Sequence, residues 1–166
     1  MQSAMAAVDT ADVVSGTDEQ QLVVFQLGAE LYGVEISRVH EIIRLQSITR
    51  VPRAPGFVEG VINLRGKVIP VVDLRRHFGL PAADHTRASR IVVVEIGEQV
   101  VGIIVDSVSE VLRVNTATVE PPSPVVAGLE SDYLHGIARL PERLVILLDL
   151  DRVLARDERR AFEATS

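Results

Sequence analysis

The sequence predicts an all-β protein assembled from two copies of one small module, and three observations carry that prediction. From residue 22 onward the apolar residues come in short Val- and Ile-rich runs, bounded by Gly or Pro about every 8–12 residues, as in a barrel or sandwich. Residues 22–52 (LVVFQLGAELYGVEISRVHEIIRLQSITRVP) lie without a gap over residues 91–121 (IVVVEIGEQVVGIIVDSVSEVLRVNTATVEP), a shift of 69 positions. Residues 57–79 then lie over residues 133–155 at a shift of 76. About a quarter of the aligned positions are identical, against roughly one in sixteen by chance, and most of the rest keep apolar over apolar. The alignment defines repeat one, about residues 22–79, and repeat two, about residues 91–155.

Composition bounds what such a chain can do. Modules of about 60 residues bury only about 60% of their unfolded surface, so two of them are expected to share a face. Cysteine is absent, which removes disulfides, thiolate nucleophiles and zinc–thiolate sites. The first twenty residues carry no positive charge and no sustained apolar run, and no stretch reaches the 18 or so apolar residues of a membrane span. A soluble cytoplasmic protein without direct membrane insertion is expected. The net charge of −6 disfavours nucleic acid and anionic lipid as general partners.

Taken in order, residues 1–20 are small, polar and acidic without periodicity, and predict a disordered tail. Residues 22–27 and 31–36 predict a hairpin about Gly28, and residues 91–96 and 100–105 repeat it about Gly97. Gly33 and Gly102 fall inside the second strand of each pair, where glycine marks a bulge or the close approach of another chain. Ser37 and Asp106 align and are good N-cap residues, so each strand is expected to run into a helical turn presenting Val39-His40-Glu41 or Val108-Ser109-Glu110. Residues 61–64 and 67–73 predict the next hairpin, with Arg65-Gly66 at its tip and Gly66 able to supply a positive φ. Pro70 lacks a donor and predicts an edge or a bulge. Gly60 and Gly136 align in this second half as further turn or bulge positions. Asp73 and Asp149 open short capped helices. Residues 53–56, 122–132 and 86–90 read as linkers, and residues 156–166 as a charged C-terminal helix.

No catalytic constellation emerges. His40, His77, His85 and His135 share no ligand spacing with another donor, so no metal site and no cofactor is expected. Asp73 and Asp149 fit capping better than paired acid–base work, and Ser37, Ser107 and Ser109 lack the strained elbow of a nucleophile. Phe25, Tyr32, Phe57 and Tyr133 occupy apolar repeat positions and predict core. The sharpest anomaly is a loop. Asn63-Leu64-Arg65-Gly66 in repeat one faces Arg139-Leu140-Pro141-Glu142 in repeat two, although the flanking strands match. One fold kept twice with one loop diverged is the pattern of a function sited on one copy. An arginine at a hairpin tip is ordinarily a solvated charge. Glu41, repeated as Glu110, fits an ion pair as readily as a binding role, and Val39 fits core.

These residues also carry a resemblance. The run LVVFQLGAELYGVEISRVHEI, then EGVINLRG followed by IPVVDLR, then VVGIIVDSVSEV, resembles the CheW family of bacterial chemotaxis adaptors over about residues 21–155. The resemblance implies two packed five-stranded SH3-like β-barrels and a non-catalytic scaffold. It implies a chemoreceptor cytoplasmic tip and a CheA-type histidine kinase as partners, with other CheW-like domains in arrays at the inner membrane face. An equivalent adaptor in a surface-motility or other chemosensory-like pathway is the alternative. Lacking ATPase, phosphotransfer and receiver segments, the chain looks like the free-standing adaptor. Carried over by motif, Val39, Glu41, Asn63, Arg65 and Gly66 are the expected partner-binding residues.

Overall fold

The computed structural model describes residues 19–54, 58–81, 83–121 and 134–152. The expected linker at 122–132, the C-terminal helix, and Phe57 and Tyr133 lie outside the described residues. In chain order the strands are β1 (Glu19–Leu27), β2 (Glu30–Glu35), β3 (Val39–Arg44), β4 (Val58–Leu64) and β5 (Lys67–Asp73). A one-turn helix α1 (Leu74–His77) comes next. Repeat two supplies β6 (Arg90–Ile96), β7 (Gln99–Val105), β8 (Ser107–Asn115), β9 (Val119–Glu120), β10 (Leu134–Leu140) and β11 (Arg143–Leu148). No helix among the described residues is long and apolar enough to cross a membrane.

The strands form two sheets, and neither belongs to one repeat. One runs β8-β1-β2-β11-β10-β9 and the other β3-β6-β7-β5-β4. The repeats have exchanged their first hairpins. β1 pairs antiparallel with β8 of repeat two, as β6 pairs with β3 of repeat one. β2 lies parallel to β11, as β7 lies parallel to β5. Residues 22–36 and 91–105 thus play the same part in the two sheets, as the duplication requires.

This exchange explains why β1 and β6 read as continuous apolar runs. Side chains alternate across a strand, and a strand buried on both faces needs apolar residues at every position. Val23, Phe25 and Leu27 face a large core between the sheets, joined there by Val92, Val94 and Ile96 of β6. Leu22 and Val24 face the interior of the first sheet with Val114, Ala138, Val145 and Leu147. Ile91 and Val93 face the interior of the second with Ile62, Ile69, Val71 and Ile104. Phe25 stacks on Tyr32 at 6.0 Å in the shared core. Burying each large side chain stabilises by about 1.5–3 kcal/mol, so the shared core ties the two sheets together.

The glycines expected at turns and bulges separate into kinds. Gly28 and Gly97 hold positive φ at the two hairpin turns. Gly60 and Gly136 lie at register shifts of β4–β5 and β10–β11. Gly33 and Gly102 are at close approaches and not at bulges: each is regularly paired, opposite Val24 and Val93. A Cβ on Gly33 would lie 3.1 Å from Val145 Cγ1, and one on Gly102 would lie 2.8 Å from Ile91 Cγ2.

Other expectations are corrected. Of the expected tail at residues 1–20, Glu19 and Gln20 are strand residues paired with Asn115 and Val114, and residues 1–18 lie outside the described residues. Ser37 is not an N-cap: the 3-10 turn Ile36–Arg38 is entered from Glu35, with no side-chain cap. Asp106 caps nothing either, since its carboxylate accepts from Gly28 N at 2.8 Å and from Arg75 Nε at 3.0 Å. No helical turn presents Val39-His40-Glu41 or Val108-Ser109-Glu110. Those segments are β3 and β8, where β-branched residues favour the pleat and β6 and β1 supply partners. Pro70 is not on an edge strand, since β5 runs between β7 and β4. The parallel ladder to β7 begins only at Val71, past the residue without a donor. Asp73 does cap α1, accepting from Arg75 N at 3.0 Å. Asp149 accepts from Asp151 N at 3.1 Å, and the helix expected to open there would extend past residue 152, outside the described residues.

The exchanged hairpins are pinned by two clamps. Arg75 grips Asp106, which in turn holds the Gly28 amide. On the other side Arg38 grips Asp151, which holds the Gly97 amide at 3.2 Å. The Arg75 guanidinium, the Gly28 amide and the nearby His85 hold the Asp106 carboxyl below its ordinary range against the opposing effect of burial. Arg75 aligns with Asp151 at the 76-residue shift, so the two clamps carry their charges in opposite order.

Candidate interaction site

The NLRG segment builds a tight turn. Arg65 and Gly66 both have positive φ, 53° and 88°, as the two-residue turn of a twisted hairpin requires. Asn63 fixes it by accepting the Gly66 amide on Oδ1 at 2.8 Å. Repeat two has arginine in place of Asn63, and so loses this acceptor. The expectation that Arg65 stands at a hairpin tip is met, and it explains why a non-glycine residue tolerates the left-handed conformation there.

Arg65 is not a free solvated charge. Its two terminal nitrogens reach both oxygens of Glu41 on β3, at 2.5 and 2.6 Å. This bidentate pairing holds the Glu41 carboxyl below the usual carboxylate range, chiefly through the hydrogen bond from Arg65, and raises the guanidinium in turn. The pair is open to solvent, with the Arg65 side chain 71% exposed and that of Glu41 27%. Val39 is not brought to it. That residue is half-buried against the shared core, and a register shift between Val39 and Glu41 turns the two apart.

Beneath the pair lies a groove of about 390 Å³, at the open end of the second sheet. Leu64, Ile69, Val93 and Val100 give it an apolar floor; His40, Lys67 and Gln99 stand at its rim. Val68, at the same mouth, is 69% exposed.

Repeat two makes a counterpart that sequence reasoning missed. Glu110, which aligns with Glu41, is paired with Arg143 at the start of β11. Arg143 aligns with Lys67, two places past Arg65, so the acid is kept while its base moves from the tip into the strand. A basic residue at both aligned positions was the available signal. Arg139, where repeat one has Asn63, pairs with Glu120 instead. Among the described residues no group of three or more His, Cys, Asp or Glu is placed to hold a metal.

Comparison with known proteins agrees with this architecture. A family model described as CheW-like domain matches residues 21–158. The chemotaxis protein CheW of Klebsiella aerogenes is 36% identical over 155 residues, covering 93% of each chain. Protein FrzA of Myxococcus xanthus is 30% identical over 157 residues, covering 93% of this chain and 98% of its own. The crystal structure of the scaffolding protein TtCheW from Thermoanaerobacter tengcongensis superposes with a TM-score of 0.77 at 41% identity, covering 84% of this chain and 94% of that one. With the family model spanning most of its length, and similarity at this level over nearly the whole of its relatives, the chain belongs to the CheW-like family.

Proposed function

We propose that this protein is a non-catalytic adaptor that couples chemoreceptors to a CheA-type histidine kinase in bacterial chemotaxis. Its partners are the cytoplasmic tip of a receptor and the kinase, with other CheW-like domains alongside in an array. It works in the cytoplasm and is recruited to receptor arrays at the inner face of the membrane. The relatives named as chemotaxis and scaffolding proteins support the pathway. The observation that ties the reading to particular residues is the exposed bidentate pair of Arg65 with Glu41, on a turn shaped by Asn63 and Gly66, where repeat two has Arg139 and Glu142. A small two-sheet protein offers several faces, each able to make a modest interface. Contacts of that kind gain avidity when linked in an array, so none needs high affinity alone.

The test is co-sedimentation of the full chain with receptor-containing membranes, with and without the kinase. The adaptor reading expects it to pellet with the membranes and to carry kinase with it. Failure to bind either partner would sink the reading. The match to FrzA, a protein not named for chemotaxis, favours one second reading: an equivalent adaptor in a surface-motility or other chemosensory-like pathway. Binding to one pathway's receptors and not the other's separates the two.

A further inference from the structure

We propose that the groove at the far end of the β4–β5 hairpin from the NLRG turn is an anion site, which takes a phosphate group on Arg50, Arg53 and Arg76. The site is independent of the adaptor reading and lies apart from the Glu41–Arg65 pair. Its walls come from the segment before β4, the start of β4, and α1, around a volume of about 340 Å³.

Charge is the first argument. On a chain of net charge −6, this groove sets three arginines against one carboxylate, Glu59, which leaves it locally positive. Arg76 donates to Glu59 Oε1 at 3.0 Å, and Arg50 stands 4.0 Å from the other oxygen. One carboxylate thus draws two guanidiniums together and can neutralise only one of them. Arg53 pairs with no acid among the described residues. The Arg50 side chain is 81% exposed and that of Arg76 47%, so both can be reached from solvent.

The backbone supplies the second argument. Val51, Pro52, Arg53 and Ala54 form a turn closed by Ala54 N, which donates to Val51 O at 3.2 Å. Arg53 takes the third place of this turn with φ 65°. With Pro in the second place and positive φ in the third, the third residue is ordinarily glycine or asparagine, because an L side chain is strained there. A strained position held by a charged side chain at the rim of a groove marks a use for that charge.

Repeat two gives the contrast. Arg50 aligns with Val119 and Glu59 with His135, and Arg76 alone keeps its counterpart, Arg152. The cluster therefore belongs to repeat one.

The same chemistry selects the ligand. Guanidinium forks match the paired oxygens of a phosphate, whose charge of about −1.5 to −2 answers the surplus of the groove. No aromatic side chain lines the groove among the described residues, so the usual anchor of a protein partner is missing. With the whole chain at −6, an anionic membrane surface is repelled, which favours a soluble phosphate over a lipid headgroup.

Inorganic pyrophosphate, titrated calorimetrically into the full chain at low ionic strength, is the probe. The parent should bind it, and added salt should weaken the binding. Arg53→Gly gives the turn the residue it prefers, so it should melt no lower than the parent and yet bind at least about fivefold more weakly. Glu59→Gln removes the competing carboxylate and should bind more tightly, a gain that a purely structural Glu59 would not produce. Arg87→Ala removes an exposed charge outside the groove and should bind like the parent, which controls for net charge. Should Glu59→Gln melt early, Arg53→Gly against Arg87→Ala carries the test. A loss in Arg53→Gly no larger than in Arg87→Ala would overturn the site, as would a parent that binds neither pyrophosphate nor phosphatidylglycerol vesicles. Phosphatidylglycerol vesicles bound through Arg53, in preference to pyrophosphate and to phosphatidylcholine vesicles, would overturn the soluble source.

Discussion

Arg65 reaches back 24 residues along the chain to hold both carboxylate oxygens of Glu41. The pair joins the tip of one hairpin to the strand β3 beside it, across the mouth of a groove. Because it is exposed, its loss should be felt in binding far more than in folding.

Glycine replacements should separate backbone strain from simple crowding. At Gly60, φ is 157° and an added Cβ would sit 2.3 Å from the Thr49 carbonyl oxygen, which is backbone and cannot step aside. At Gly102 the obstacle is the Ile91 side chain at 2.8 Å, and overpacking of that sort costs about 1–3 kcal/mol. At Gly66 nothing lies within 4 Å, and only the positive φ resists, at about 1–2 kcal/mol. Thermal melts should rank Gly60→Ala as the most damaging of the three.

Asp106 should contribute to the acid limit of stability. Its pKa is held below the ordinary carboxylate value of about 3.9 by Arg75 first and then by the Gly28 amide. A depressed folded-state value means that the unfolded chain binds the proton more readily. The stabilisation is therefore present above the ordinary value and is lost as pH falls through the folded one. In Asp106→Asn the melting temperature should be lower near neutrality, and its further fall below about pH 4 should be shallower than in the parent. An unchanged acid limb would show that the clamp does not act through this carboxylate.

A cut in the connection between the repeats should leave the protein in one piece. Residues 83–88 are exposed and lie outside the strands, whereas each sheet contains strands from both repeats. A specific protease site placed there and cleaved should yield two fragments that elute together and melt as a unit. Fragments that separate on dilution would contradict the hairpin exchange.

Much of this architecture is legible in the sequence because it is local. The hairpin turns at Gly28, Gly97 and Arg65-Gly66, the cap at Asp73 and the duplicated strands all arise from short-range chemistry. The exchange of hairpins was not legible. Their unbroken apolar runs show that both faces of β1 and β6 are covered, but not which strands cover them. The helical turn expected at Val39-His40-Glu41 failed because a good cap residue is only a weak prior, and β6 was waiting to pair with that segment. The clamps were hidden for another reason: Arg75 and Asp106 are 31 residues apart, and Arg38 and Asp151 are 113 apart. At the site, Arg65 and Glu41 were both visible, but their bond to one another was not. Lys67 and Val68 were passed over because each alone looks like an ordinary surface residue.

The central claim is that repeat one carries the interaction site and repeat two has kept only its fold. It is tested most directly by comparing Arg65→Ala with Arg143→Ala, the two arginines that serve Glu41 and Glu110, with Glu142→Ala as a third variant at the diverged tip. Each would be melted and then assayed for receptor-dependent kinase activation. The account predicts that all three melt close to the parent, that Arg65→Ala loses about tenfold or more in partner binding together with most of the activation, and that Arg143→Ala and Glu142→Ala activate like the parent. Equal activation by Arg65→Ala and Arg143→Ala would contradict it, and would mean that the divergence of the NLRG turn marks no function.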